Sequence, residues 1–223
     1  MALVLSTNDT DYSTRNLGMA ERIIYGEISY IQSDGNVYID TGFSGYRDVR
    51  NDVAGNIPED APRIEITIAT GSDAQNKCVF SSAEHPNCFM LSKVDVNRIQ
   101  TASRGANLSS VYDGTRKKII YGSVKSYVDD SLVKDNSDMS NQYRINAYDE
   151  NILLFHKTDI PQGYLTTELV NTNIKIYNFK AYSGDKLVKD LVPYRKTDGT
   201  VCMLDKISGN YHYGIGSGVF IGN

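Results

Sequence analysis

The chain has no tryptophan, and only three cysteines, three histidines and five prolines among its 223 residues. Each scarcity excludes something. Three cysteines cannot form a disulfide framework, and the odd count fits synthesis in a reducing compartment. They are expected to be reduced and metal-free. No apolar run approaches the ~20 residues of a membrane helix, so no membrane insertion is expected. The start, Met1-Ala2-Leu3-Val4-Leu5-Ser6-Thr7, has no basic region and too short an apolar run for a signal peptide. Synthesis and retention in a cytoplasm are the expectation. Positive charge is sparse as well: 23 Lys and Arg against 27 Asp and Glu give a net charge of −4. Nucleic-acid binding needs clustered cations to displace counterions. The longest basic run, Arg116-Lys117-Lys118, reads as a solvated strand end, so no nucleic-acid partner is expected.

Chemistry-bearing patterns are equally thin. Glycoside hydrolysis needs two carboxylates roughly 5–10 Å apart, which a strand supplies as Glu-x-Asp-x-Glu. That string is absent: Asp40 and Glu65 stand alone, and the adjacent Asp149 and Glu150 would point to opposite faces. His85, His156 and His212 have no Gly-x-Ser-x-Gly elbow or reactive-cysteine context beside them. Cys78, His85 and Cys88 are zinc-capable, but Cys-x6-His-x2-Cys is not a structural-zinc spacing. Asp129, Asp130, Asp135, Asn136 and Asp138 make an acidic loop without EF-hand order, and solvation explains it better than calcium. No catalytic residue, metal ligand or cofactor is assigned, and the chain is not expected to be an enzyme.

Tyrosine and glycine are plentiful, at 16 and 18 residues, and both favour strands and turns over helices. Arg63-Ile64-Glu65-Ile66-Thr67-Ile68-Ala69 alternates strictly, the mark of a half-buried strand. Around Ile174–Ala181 both faces carry apolar or aromatic groups, predicting a strand buried on two sides. Ser33-Asp34-Gly35-Asn36 predicts a hairpin between Ile28–Gln32 and Val37–Thr41. A second hairpin is predicted from Cys78–Ser81 to Cys88–Ser92, with Cys78 opposite about Ser92. Turns are predicted at Asp129-Asp130, Ser183-Gly184-Asp185-Lys186, Thr197-Asp198-Gly199-Thr200 and Gly209-Asn210, and a stop at Pro193. Short strands with turns every 8–12 residues indicate one antiparallel all-β domain, a sandwich or barrel.

The two ends carry something more specific. Tyr30-Ile31-Gln32-Ser33 with Tyr38-Ile39-Asp40-Thr41-Gly42 opens the pattern. Ile174 to Phe179, Leu187-Val188-Lys189-Asp190-Leu191-Val192-Pro193, Asp198-Gly199, Leu204-Asp205 and Gly216-Ser217-Gly218 with Phe220 and Gly222 close it. This ordered set resembles a concanavalin A-like (laminin-G-like) β-sandwich module of tailed-phage structural and fibre proteins, over roughly residues 28 to 222. Tyr194 stands where the module implies Cys, and Cys202 where it implies Gly, which removes any disulfide at that place. The resemblance implies an antiparallel jelly-roll sandwich over 28–223 in a non-enzymatic virion protein, of a head or tail fibre or decoration kind. Assembly in the host cytoplasm and host-surface adsorption follow from it. The alternative from another class is a lectin-like carbohydrate-binding adhesion module, for which Tyr46, Tyr112, Tyr127, Tyr148, Tyr164 and Tyr213 lie near turns.

Residues 1–27 read differently, as a short anchoring arm. Leu3, Val4, Leu5, Met19, Ile23 and Ile24 are too few apolar groups for a core of their own. They are the candidate docking residues, and Leu3-Val4-Leu5 among them is suited to adding a strand to the edge of another virion protein or of a second copy in a homo-oligomer.

Overall fold

The computed structural model describes residues 25–44, 62–71, 77–81, 90–95, 98–101, 107–109, 114–122, 125–135, 151–156 and 173–223. All of its regular structure is strand. In chain order these are β1 (Gly26–Glu27), β2 (Ile31–Ser33), β3 (Val37–Ser44), β4 (Pro62–Thr70), β5 (Lys77–Ser81) and β6 (Met90–Asp95). Then come β7 (Arg98–Thr101), β8 (Asn107–Ser109), β9 (Lys117–Gly122), β10 (Lys125–Val128), β11 (Ser131–Asp135) and β12 (Asn151–Leu154). The last six are β13 (Ile174–Ser183), β14 (Lys186–Arg195), β15 (Val201–Asp205), β16 (Tyr211–His212), β17 (Gly214–Gly216) and β18 (Phe220–Gly222).

They form two antiparallel sheets. One runs β11-β10-β9-β4-β13-β14-β15-β16, with β2 between β13 and β18 and with β1 on β14; the other runs β17-β3-β12-β5-β6-β7-β8. The inner faces of both supply one core. Ile64, Ile66, Ile68, Ile174, Ile176 and Phe179 from the first sheet meet Ile39, Val79, Phe80, Ile152 and Leu154 from the second. The Phe80 ring lies 6.3 Å from Phe179 and 6.4 Å from Tyr121, across the gap between the sheets. Sheets joined through one apolar layer make the arrangement of a β-sandwich.

The period-two reading of β4 holds: all three of its isoleucines are fully buried. The predicted turns open where expected, with Asp129 and Asp130 at φ 47° and 62° and Gly199 at 88°. Cys78 pairs with Ser92, as the spacing requires. Cys88, like residues 143–148 and 45–61, lies outside the described residues, as do all six candidate docking residues of the arm, Leu3, Val4, Leu5, Met19, Ile23 and Ile24. At the arm's end, Gly26 and Glu27 pair with Arg195 and Tyr194.

Three expectations are corrected. First, β2 and β3 do not form a hairpin, since β2 pairs with β13 and β18 while β3 pairs with β12 and β17. Ser33-Asp34-Gly35-Asn36 instead turns the chain from one sheet to the other. It is held by Ser33 Oγ donating to the Val37 carbonyl at 2.7 Å and by the Gly35 N–H donating to Ser33 Oγ at 3.0 Å. Second, β14 passes through Pro193. The Pro193 carbonyl accepts from Ile28 N–H at 3.0 Å, so its missing donor faces the two-residue β1 and not β15. A strand tolerates proline on such a short-lived side. Third, β13 is buried on one face only. Its register against β4 shifts between Ile176 and Asn178. That bulge sets Asn178 outward beside Tyr177 and leaves Ile174, Ile176, Phe179 and Ala181 in the core.

Candidate functional site

The outer face of the larger sheet carries the most distinctive chemistry. Ile31 and Ser33 are buried, so Gln32 between them and Tyr30 before them face outward; Lys175 does likewise between Ile174 and Ile176. Register then sets a row across the sheet, in which Ile221 pairs with Gln32, Gln32 with Lys175, and Lys175 with Ala69. Arg116 precedes Lys117, whose partner is Ile68, and so closes the row at its far end.

Two tyrosines hold the two cations of this row. The Lys175 ammonium lies 4.3 Å from the Tyr30 ring centroid, and the Arg116 guanidinium 3.7 Å from that of Tyr177. The rings themselves are 6.0 Å apart and inclined at 60°. Tyr177 faces outward by alternation from Lys175, and the bulge after it sets Asn178 on the same side and returns Phe179 to the core. Ring quadrupoles attract cations, by about 0.5–1 kcal/mol at exposed positions, without neutralising them. Neither Arg116 nor Lys175 has a carboxylate partner among the described residues.

Two other stacks on this sheet differ in that respect. Arg63 lies 4.3 Å from the Tyr182 ring but has Asp185 at 4.0 Å. Lys196 lies 5.5 and 5.3 Å from the rings of Tyr211 and Tyr213, donates to the Tyr213 hydroxyl at 3.0 Å, and has Asp198 at 3.9 Å. Tyr194 and Tyr211 are 5.3 Å apart. On β15, Val201, Met203 and Asp205 face the core, so Cys202 faces outward, yet it is fully buried. Burial pushes its thiol up to about 11, against a small lowering by Lys196.

Among the residues weighed from sequence, the structure assigns ordinary roles. Asp40 accepts from the Gly42 N–H at 2.7 Å and from the Asn151 amide at 3.2 Å. Glu65 sits 3.9 Å from Lys118, 25 residues away from Asp40 in sequence and in the other sheet. His212 Nδ1 donates to the Asp40 carbonyl at 2.8 Å, joining β16 to β3 across the corner of the two sheets. The His156 ring packs against that of Tyr38, with centroids 4.5 Å apart and planes inclined at 54°. Asp129 and Asp130 are engaged by Lys117 at 3.0 Å and Lys118 at 3.2 Å, so the acidic turn is spoken for by lysines. Asp138, Asp149, Glu150 and His85 lie outside the described residues, as do the side chains of Asp135 and Cys78. No cluster of three metal-ligating side chains occurs among the described residues.

Sequence reasoning missed Tyr30, Lys175, Tyr177 and Arg116. They come from three distant segments, and Arg116 read as a solvated strand end. The usable signal was Lys175-x-Tyr177 beside Tyr30-x-Gln32, two outward alternations on strands that had not been seen as neighbours. No protein-family model matches the chain, and no curated protein matches it in sequence.

Proposed function

We propose that the protein is a non-enzymatic virion structural protein of a tailed phage, a head or tail fibre or decoration protein. In this reading, residues 28–223 are displayed as a concanavalin A-like, jelly-roll sandwich and residues 1–27 attach it. The observation that carries the reading is the meeting of the segments on which the resemblance rests. β2 lies between β13 and β18, bringing Tyr30–Ser33, Ile174–Phe179 and Phe220–Gly222 into one sheet. The remaining motif positions have tight structural duties: Asp205 is buried beneath a turn, and Gly216 and Gly218 are closely approached by Asn36 and by the Asp34 carboxylate. The partners in this reading are other virion proteins and further copies of the chain, contacted through Leu3, Val4, Leu5, Met19, Ile23 and Ile24. The working locale is the assembled particle.

Deleting residues 2–25 tests it. The expected result is an unchanged melting temperature with lost incorporation into particle or oligomer. Normal assembly with a collapsed melting temperature reverses the assignment. A second reading, a carbohydrate-binding adhesion module, is favoured by one observation: the Tyr30–Tyr177 platform, whose cations have no carboxylate partner among the described residues. The two are compatible, because a fibre that adsorbs to a host surface needs such a face.

A further inference from the structure

We propose that the outer face around Tyr30, Lys175, Tyr177 and Arg116 binds an acidic polysaccharide, one whose sugars carry carboxylates. This rests on the display reading only in treating that face as the working surface. Charge complementarity carries it. The chain is net negative, at −4, and the other two cations stacked on tyrosine in this sheet have an aspartate within 4.0 Å. Lys117 and Lys118, next to Arg116, are likewise engaged by Asp129, Glu65 and Asp130. Arg116 and Lys175 alone among these are held by rings and by no described carboxylate. A cation left in this state keeps its full charge for an incoming anion, and its side chain is already ordered, which lowers the entropic cost of binding.

The surroundings favour a sugar chain over a small anion. Arg116 and Lys175 belong to β9's leading end and to β13, with β4 between them. Their backbones are therefore about two strand spacings, ~10 Å, apart. The two cations sit over two different rings, whose centroids are 6.0 Å apart, and so present two separate anchoring points of the kind that charges repeating along a polymer can use. Gln32, in the same row, offers an amide donor and acceptor to hydroxyls. Ile221, which is 53% exposed, continues the row with an apolar surface, and tyrosine rings offer apolar faces with polar tips. A polynucleotide also combines anions with stacking groups, but its affinity comes from releasing counterions at many phosphates. Two cations without a carboxylate among the described residues give little of that.

The test uses the purified full chain with three probes: polygalacturonate, neutral dextran, and single-stranded DNA of matched length. Binding is measured by calorimetry at several salt concentrations. The wild type is expected to bind polygalacturonate and not dextran. Arg116→Ala and Lys175→Ala should each weaken it at least about fivefold, and each should make the salt slope shallower as one ion contact is lost. Lys196→Ala, on the other tyrosine cluster, should bind as wild type does, and melting curves check that each variant folds. No binding to polygalacturonate, or binding indifferent to both substitutions, overturns the proposal. Equal or tighter binding of DNA overturns it in favour of nucleic acid. Dextran binding that Tyr177→Ala abolishes overturns the acidic specificity while leaving the display reading standing.

Discussion

Replacing Asp205 tests how the last third of the chain is held together. Its side chain is fully buried, yet every acceptor position is used. Ser208 Oγ donates to it at 2.8 Å, the Ile207 N–H at 3.1 Å, the Asp190 N–H at 3.2 Å and the Lys189 ammonium at 3.3 Å. It thus ties β14, β15 and the turn before β16 to one carboxylate. Asp205→Ala would strand a mostly buried ammonium and two main-chain donors. Removing one partner of such a pair costs about 3–5 kcal/mol. For a domain of this size each kcal/mol shifts Tm by roughly 2–4 °C, giving a fall of about 6–20 °C. Asp205→Asn keeps one acceptor but turns an amide donor toward Lys189 or Ser208, and should cost about 1–3 kcal/mol. Acid adds a second readout. Burial alone would raise the Asp205 carboxyl, but the hydrogen bonds from Ser208, Asp190, Ile207 and Lys189 outweigh it and hold the group below its ordinary value. The folded pKa therefore lies under the unfolded one, near 3.9. Its stabilisation is complete above the unfolded value and drains away as pH falls toward the folded one. Melting followed by circular dichroism from pH 7 to pH 3 should show the wild type losing Tm more steeply than Asp205→Asn. An Ala variant melting within 1–2 °C of wild type at pH 7, or parallel acid limbs for Asn and wild type, would refute the reasoning.

Three further outcomes are expected. Gly216→Ala should destabilise by about 1–3 kcal/mol or more in a denaturant titration, because φ is +125° and the new Cβ would meet the Asn36 carbonyl; an unchanged midpoint counts against that geometry. The Cys202 thiol, pushed up to about 11, should resist a disulfide reagent at pH 8 until the protein is unfolded, and rapid reaction in the native state would show it exposed. Deleting Val219–Asn223 removes the β18 partner of β2 and should lower the stability of the whole domain in one transition; two separate transitions would sever the two ends energetically.

What the sequence made legible was local. Alternation in β4 needs only the period of a strand, and Asp-Gly or Ser-Gly turns declare themselves through φ that few residues adopt. Hence the β13–β14 and β14–β15 connections and the Cys78–Ser92 register could be placed in advance. Which sheet a strand joins is a long-range choice. Ser33-Asp34-Gly35-Asn36 has the composition of a hairpin turn, yet Asp34 reaches Val219 N–H, 185 residues away, and the chain changes sheets there. Pro193 misled for a related reason: its missing donor matters only on the side where a partner continues, and β1 ends after two residues. The platform was hidden behind the first kind of event. It needs β2 to sit beside β13 and the leading end of β9 to lie beside β4, long-range pairings that alternation within one strand does not reveal.

Tyr194 and Cys202, the two positions at which the sequence departs from the expected module, turn out to be cross-strand partners. This bears on where recognition can occur. A glycine at 202 would leave an outward gap in β15, and a cysteine at 194 would be too small to cover it. Here the bulk lies at 194 instead, its ring 5.3 Å from Tyr211, while Cys202 beneath is sealed from solvent. A large residue facing a small one across an antiparallel pair can shield the backbone that the small one exposes. Lys196 then bridges Tyr211 and Tyr213, with Asp198 balancing its charge. That end of the sheet is a closed cap, its cation spent and its thiol inaccessible. The end at Tyr30 and Tyr177 has the same ingredients, tyrosine rings and cations, but no described acid to balance them. Of two similar clusters on one face, the uncapped one retains charge and contact surface for a partner, and it is there that Arg116→Ala and Lys175→Ala should be felt.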